Sequence, residues 1–322
     1  MAQQPQPEPD TVRVSDDVSD HAAVRPSGPV VVETVAGIRA EVAGLREARR
    51  TEAPPRGDTG PAVAFVPTMG ALHDGHLELV DRARELADIV VVSIFVNPLQ
   101  FSDPADLERY PRDLEGDLAC LEGHGVDLVF APEAAELYPD GDPATRVTGG
   151  RAAQLFEGRS RPGHFDGMLT VVAKLLHAVG PDVVLFGQKD AQQVFLVSRM
   201  VADLTMPVRV EVVPTVRDAD GLALSSRNRF LDPEARRAAL ALPAMLEAAE
   251  SAADRGIDAV LAAAQSVLMG QDDVDLDYLA VVDPRTFLPV DDDYTGRATV
   301  LVAARVGGVR LIDNEPIYLG HA

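Results

Sequence analysis

Between residues 62 and 213 the chain alternates short, unbroken apolar runs with stretches in which apolar residues recur every three or four positions. The runs at 62–66, 88–96, 126–130, 182–186 and 208–213 read as strands, and a shorter one at 29–32 precedes them. The stretches at 34–50, 77–87, 104–123, 164–179 and 191–204 carry helical spacing; in 164–179 it turns Leu169, Val172, Leu175 and Leu176 to one side. Strands apolar on both faces and separated by helices form a parallel sheet covered on both sides. The predicted fold class is therefore α/β, a Rossmann-like doubly wound parallel sheet. Residues 51–60 read as a loop.

The texture changes after Val213. An alanine-rich helical region (233–255, then 257–269) leads to a strand pair at 299–306 and 309–313, joined through Gly307 and Gly308 as a hairpin turn. This predicts a smaller C-terminal α+β lid domain over 215–322, with the boundary near Pro214 and the main ligand-binding domain over 29–214. Residues 1–28 are rich in Pro, Gln, Asp and Ser, without aromatics or apolar periodicity, and read as a disordered tail.

Charge narrows the function. The chain holds 29 basic and 51 acidic residues, a net charge of −22, which disfavours nucleic acid as a partner. The longest apolar run, 89–96, is far short of the roughly 20 residues of a membrane helix. The absence of a signal-peptide pattern and the single cysteine, Cys120, suit a cytoplasmic protein; Cys120, on a predicted helix, is expected in the core and not in catalysis. Lysine occurs only at Lys174 and Lys189, against 27 arginines. Residues 151–230 carry +2 while the remainder carries −24, which points to a small anionic ligand in that region. A lysine retained among so many arginines suggests a site that wants a compact ammonium.

The densest chemistry lies at 63–77. A strand runs through Pro67, Thr68, Met69 and Gly70 into a turn, and His73-Asp-Gly75-His76 then opens a helix. Ligands of open α/β sheets collect at the carboxyl ends of strands, and a helix N-terminus favours phosphate. Gly75 lets backbone approach a nucleotide. His73 and His76 share one side of the first turn and can donate to a phosphoryl group as charge develops. A zinc pair would prefer i, i+4 spacing and a third ligand, which is not nearby. Asn97 and Gln100 place amides at the end of the second long strand. Gly187, Lys189, Asp190 and Gln193 follow the fourth in the same way. Ser225, Ser226 and Arg227 offer hydroxyls, N–H groups and a guanidinium to a polyphosphate. Arg161 is a candidate anion contact. His164 reads equally as a site residue or a structural one, and Lys174 as a snorkelling helix residue or a functional one.

The strand–turn–HxGH arrangement resembles the first signature of the nucleotidyltransferase superfamily. The longer string PTMGALHDGH (67–76) is similar to the pantoate–β-alanine ligase family, as are SIFVNPLQF (93–101), YPR (110–112), RPGHFDGMLTVVAKLL (161–176), FGQKDAQQ (186–193) and VPTVRDADGLALSSRN (213–228), in that order. The resemblance implies a homodimeric enzyme that condenses pantoate with β-alanine at the expense of ATP, through a pantoyl-adenylate, releasing AMP and pyrophosphate. It implies catalytic roles for His73, His76 and Lys189. ATP would be bound by Pro67, Thr68, Met69, Gly70, His73, Gly75, His76, Gly187, Lys189, Asp190, Val216, Leu224, Ser225, Ser226 and Arg227. Pantoate and β-alanine would be bound by Asn97, Gln100, Arg161 and Gln193. The family's Mg²⁺ ligands follow YPR; here Gly116 and Cys120 fall at two of those positions, which leaves Asp117 as the candidate ligand. A nucleotide adenylyltransferase would share the HxGH fold but pass AMP to a phosphate, and a non-catalytic regulator would lack several of these polar groups.

Overall fold

The computed structural model describes residues 28–52, 60–101 and 104–320; residues 1–27 of the expected tail and 53–59 of the expected 51–60 loop lie outside them, while Thr51 and Glu52 continue α1. The chain runs through β1 (Val30–Val32), α1 (Val35–Glu52), β2 (Val63–Thr68), α2 (Asp74–Leu86), β3 (Ile89–Ile94), α3 (Pro104–Arg109), α4 (Leu114–Leu121) and β4 (Leu128–Phe130). Two short helices, α5 (Ala134–Leu137) and α6 (Glu157–Ser160), precede α7 (His164–Val179), β5 (Val183–Gly187), α8 (Ala191–Asp203) and β6 (Arg209–Val213). The remainder holds α9 (Pro233–Ala239), α10 (Ala241–Ser251), α11 (Ile257–Ser266), β7 (Val274–Val282), β8 (Gly296–Val306) and β9 (Val309–Leu319).

Strands β1 to β6 form one sheet in the order β1-β4-β3-β2-β5-β6, and every pairing is parallel. The chain moves outward from β2 to β3 and β4, then returns to β5 on the other side of β2. The switch point therefore lies at the carboxyl ends of β2 and β5, where such sheets bind ligands. One face packs Phe65, Val91 and Phe130 against α1, α7 and α8; the other packs Ala64, Val66, Val90 and Val92 against α2 and α4. Burial on both faces explains the unbroken apolar runs.

The C-terminal sheet is antiparallel, β7-β8-β9. Gly307 and Gly308 turn the β8–β9 hairpin with φ of +56° and +79°, as the Gly-Gly pair implies. The sheet has a third strand, β7, beyond the expected pair. Its first half, VDLDY, alternates apolar and polar residues and its second half, LAVV, is an apolar run, both signals of a strand. One face of the sheet packs on α9, α10 and α11, while Val282, Phe287 and Leu301 join the core of the larger sheet.

Two expected helices are broken. The 104–123 helix becomes α3 and α4, separated at Tyr110-Pro111; Pro111 cannot supply the N–H that a continuous helix needs, and Asp113 restarts it by accepting from Gly116 N at 2.9 Å. The 233–255 helix divides into α9, α10 and a terminal 3₁₀ turn. Cys120 is exposed, contrary to the core position expected of it: α4 buries Asp117 and Leu121, one turn apart, and Cys120 lies off that stripe. Among the described residues no helix is long and apolar enough to cross a membrane.

Candidate active site

A cleft of about 520 Å³ lies at the switch point, within the roughly 300–1,000 Å³ of a small-molecule or cofactor site. From β2 and the turn after it come Pro67, Thr68, Met69, His73, Gly75 and His76; from the end of β5 come Gly187, Lys189 and Asp190, with Gln193 on α8. The segment after β6 adds Val216, Leu224, Ser225, Ser226 and Arg227, and Asn97, Gln100 and Arg161 complete the wall. Gly70 and Asp117, also expected in the site, do not line the cleft.

The two histidines have defined tautomers. His73 caps α2, its Nδ1 accepting from Gly75 N at 3.2 Å, and His76 Nδ1 accepts from His73 N at 3.3 Å. An Nδ1 that accepts leaves Nε2 to carry the proton on a neutral ring. Burial, followed by the charge of Lys189, holds His73 below the usual imidazole range. Burial and then His73 push His76 down to about 3. The rings lie 4.1 Å apart as a pair of neutral Nε2–H donors, suited to an anionic oxygen and not to metal ligation through Nδ1.

Asp117, the candidate Mg²⁺ ligand, is bonded to the protein's own backbone. Its carboxylate is 5% exposed, and it accepts from Ala71 N at 3.1 Å through one oxygen and from Leu72 N at 2.8 Å through the other. A Cβ on Gly70 would lie 2.6 Å from Asp117 Oδ2, and Ala71 holds φ +53°. Asp117 and Gly70 thus build the turn that delivers His73. Neither lines the cleft, and each oxygen of the Asp117 carboxylate already holds a backbone N–H group. Among the described residues no group of three His, Cys, Asp or Glu side chains could hold a metal.

Asn97 is 1% exposed. Its Nδ2 donates to Gln100 Oε1 at 3.0 Å and to the Gly167 carbonyl at 3.1 Å, and its Oδ1 accepts from Tyr138 Oη and Leu99 N. All its polar atoms are engaged within the protein, so it positions Gln100. His164 does the same from the other side: its Nδ1 bonds to the Gln100 carbonyl at 2.9 Å, and burial pushes it down to about 4. Sequence left its role open; the structure makes it a bracket for the Gln100 loop. Arg161 leans on His164 Nε2 at 3.2 Å. Burial and then the Arg227 charge bring Arg161 down to about 10, so it stays cationic at neutral pH beside a second guanidinium, an environment that attracts a carboxylate or phosphate. Lys174 lies 5.4 Å from the centroid of the Tyr138 ring, away from the cleft.

The pair at the end of FGQKDAQQ divides. Gln192 is buried and tied to the carbonyls of Ala152 and Leu155 and to Glu157 N; Gln193 faces the cleft. Sequence reasoning missed Asn314, which is 2% exposed and donates to the carbonyls of Gln188 and Lys189 at 3.0 and 2.9 Å. No motif spacing announces a contact across 125 residues.

A family model described as pantoate-beta-alanine ligase matches residues 31–316. A pantothenate synthetase from Leifsonia xyli subsp. xyli is 58% identical over 284 residues, covering 86% of this chain and 99% of its own. The crystal structure of pantothenate synthetase from Thermus thermophilus superposes with a TM-score of 0.78 at 48% identity, covering 89% of this chain and 98% of that one. A pantoate-beta-alanine ligase from Francisella tularensis, complexed with beta-gamma ATP and beta-alanine, gives 0.68 at 33% identity, covering 89% and 97%. The match runs through both sheets and every segment that lines the cleft, and the chain belongs to the pantoate–β-alanine ligase family.

Proposed function

We propose that the cleft at the ends of β2 and β5 joins pantoate to β-alanine in two steps, with ATP as the source of free energy. In the first, a pantoate carboxylate oxygen attacks the α-phosphorus, forming the acyl-adenylate as pyrophosphate leaves. The Nε2–H donors of His73 and His76, the Lys189 ammonium and the turn at 225–227 stabilise charge moving onto the phosphates. In the second, the neutral amine of β-alanine attacks the acyl carbonyl, the amide forms, AMP departs and the amine's surplus proton passes to solvent. Gln100 and Gln193 hold the pantoyl group, and Arg161 attracts a substrate carboxylate. No protein nucleophile is required; positioning and fixed dipoles do the work.

The observation that carries this reading is the convergence on one cleft of three phosphate-directed elements with two amide side chains, Gln100 after β3 and Gln193 on α8. The relative complexed with ATP and β-alanine supports it. The chain from Thr215 onward acts as the lid that shields the mixed anhydride from water. Magnesium enters this reading only as the counter-ion on the ATP phosphates. The same reading extends to a homodimer in the cytoplasm, where a single cysteine is at home.

Purified protein should release AMP and pyrophosphate only when pantoate is present, and should yield pantothenate only when β-alanine is added. ADP and phosphate as products, or AMP release indifferent to pantoate, would overturn the reading. A nucleotide adenylyltransferase would need no amine at all.

A further inference from the structure

The pleat of β9 turns adjacent residues to opposite sides, and each side holds a different phosphate-facing segment. On one side, Asn314 donates both of its Nδ2 hydrogens to the carbonyls of Gln188 and Lys189. These close the 3₁₀ turn that carries the Lys189 side chain. On the other side, Asp313, 3% exposed, takes Arg217 through both carboxylate oxygens at 2.6 and 3.2 Å. Arg217 sits at the base of a small hairpin in which Leu224 N donates to the Val216 carbonyl, and that hairpin leads directly into Ser225, Ser226 and Arg227.

The Asn314 side of β9 is also the side that docks on the larger sheet. Earlier on that same side of the strand, Arg310 pairs with Glu157 of α6 at 2.6 Å, and Tyr278 of β7 donates to the same carboxylate at 3.0 Å. Leu301, directly across from Asn314 on β8, is part of the larger core. Asn314 therefore reaches the Lys189 turn only while the antiparallel sheet is seated. Within the protein, the hydrogen bonds of this side chain are the two it donates to those carbonyls.

We propose that Asn314 is a positioning residue for Lys189: docking of β9 sets the place of the ammonium and, through Asp313 and Arg217, its spacing from the turn at 225–227. The antiparallel sheet is then part of the phosphate-binding apparatus as well as a cover over it. This role rests on Lys189 contacting phosphate, as proposed above, and the experiment separates the two.

Because the chain has only two lysines, protein grown with ¹³Cε-labelled lysine gives one side-chain signal for Lys189 and one for Lys174. The Lys174 signal, beside the Tyr138 ring, reports an intact fold. In full-length protein, Asn314→Ala and the shape-conserving Asn314→Asp should each shift the Lys189 signal and shrink its response to ATP, with the Lys174 signal unmoved. Pyrophosphate release should fall roughly 10-fold in kcat/KM, the scale of a lost buried hydrogen bond. In a Lys189→Ala background the same Asn314 substitutions should cost less than about two-fold, because a residue that acts through Lys189 has nothing left to position. An unchanged Lys189 signal, or an equal loss in both backgrounds, would overturn the proposal. Full activity in Lys189→Ala alone would remove the phosphate contact instead, and the Lys189 signal would still decide what Asn314 holds.

Discussion

Asp117 Oδ1 accepts the backbone N–H of Leu72 at 2.8 Å across 45 residues of sequence, and its other oxygen takes the neighbouring N–H of Ala71. This one carboxylate ties α4 to the turn between β2 and α2. It sets the entry into α2 on which the capping contacts of His73 and His76 depend. A position that a motif comparison offers as a metal ligand is thereby a support for the histidines.

Asp117→Asn keeps the shape but has one acceptor oxygen for two N–H groups. Hydrogen bonds to a charged group contribute roughly 1.5–3 kcal/mol, so kcat/KM should fall about 10- to 100-fold. The loss should be the same at every Mg²⁺ concentration. Steady-state rates across a Mg²⁺ titration check this; restoration of activity by excess Mg²⁺ would return Asp117 to the role of a ligand.

Gln192 and Gln193 are adjacent, yet their substitutions should fail in different ways. Gln192→Ala removes three hydrogen bonds from the buried side of α8 and should cost about 2–4 kcal/mol of stability, seen as a lowered denaturant midpoint. Gln193→Ala should leave that midpoint within error and raise KM for pantoate at least ten-fold. Measuring unfolding and kinetics on both variants separates them, and a stability loss in Gln193→Ala would place it in the core.

Much of this was legible in the sequence because the signals are local. The apolar runs of β2, β3 and β5 are long enough to declare a doubly covered sheet, and Gly75 between two histidines marks a strand-to-helix turn. What the sequence hid was the assignment of polar groups to inside or outside. Asn97 has the composition of a substrate contact, but its four bonds run inward to Gln100, Leu99, Tyr138 and Gly167. Asp117 and Asn314 act across 45 and 125 residues, and only the assembled sheets bring their partners within reach.

At Gly167 the backbone of α7 packs directly against the Gln100 loop. A Cβ there would lie 2.2 Å from the Leu99 carbonyl oxygen and 2.9 Å from Gln100 N. Both are backbone atoms that cannot swing aside, so Gly167→Ala must push the loop away from α7. Overpacking of this kind costs about 1–3 kcal/mol. The Asn97 Nδ2 bond to the Gly167 carbonyl would be lost with it, so KM for pantoate should rise while KM for ATP changes little. An equal rise for both substrates would mean that the whole cleft, and not the Gln100 loop, depends on this contact.

Two buried histidines make stability depend on pH in a definite window. His76 and His164 are held neutral in the fold, down to about 3 and about 4, whereas in the unfolded chain each titrates near 6.5. Between those values the unfolded state binds more protons, so folding stability is fully present above pH 6.5 and drains away as pH falls. Between pH 6.5 and 5.5 carboxylates contribute little, and Tm should already decline. His164→Gln should flatten that decline in proportion to its share. A Tm level from pH 7.5 to 5.5 would mean that neither ring is held neutral by burial.

Lys189 supplies the sharpest test of the phosphate reading. It lies near enough to both histidines to disfavour their protonation, which places a positive charge beside two neutral donors. Lys189→Ala should lower kcat/KM for adenylation by roughly 10²–10³-fold, the scale of an electrostatic contact of about 3–4 kcal/mol made in the transition state. Lys189→Arg keeps the charge but replaces a compact ammonium with a planar fork, so it should recover little of that loss. Pyrophosphate release by the wild type and both variants, with circular dichroism to confirm folding, distinguishes the cases. Near-complete turnover in Lys189→Arg would show that diffuse positive charge suffices at the end of β5. Near-complete turnover in Lys189→Ala would take this side chain out of the chemistry and leave the histidine donors and Arg227 to carry the developing charge.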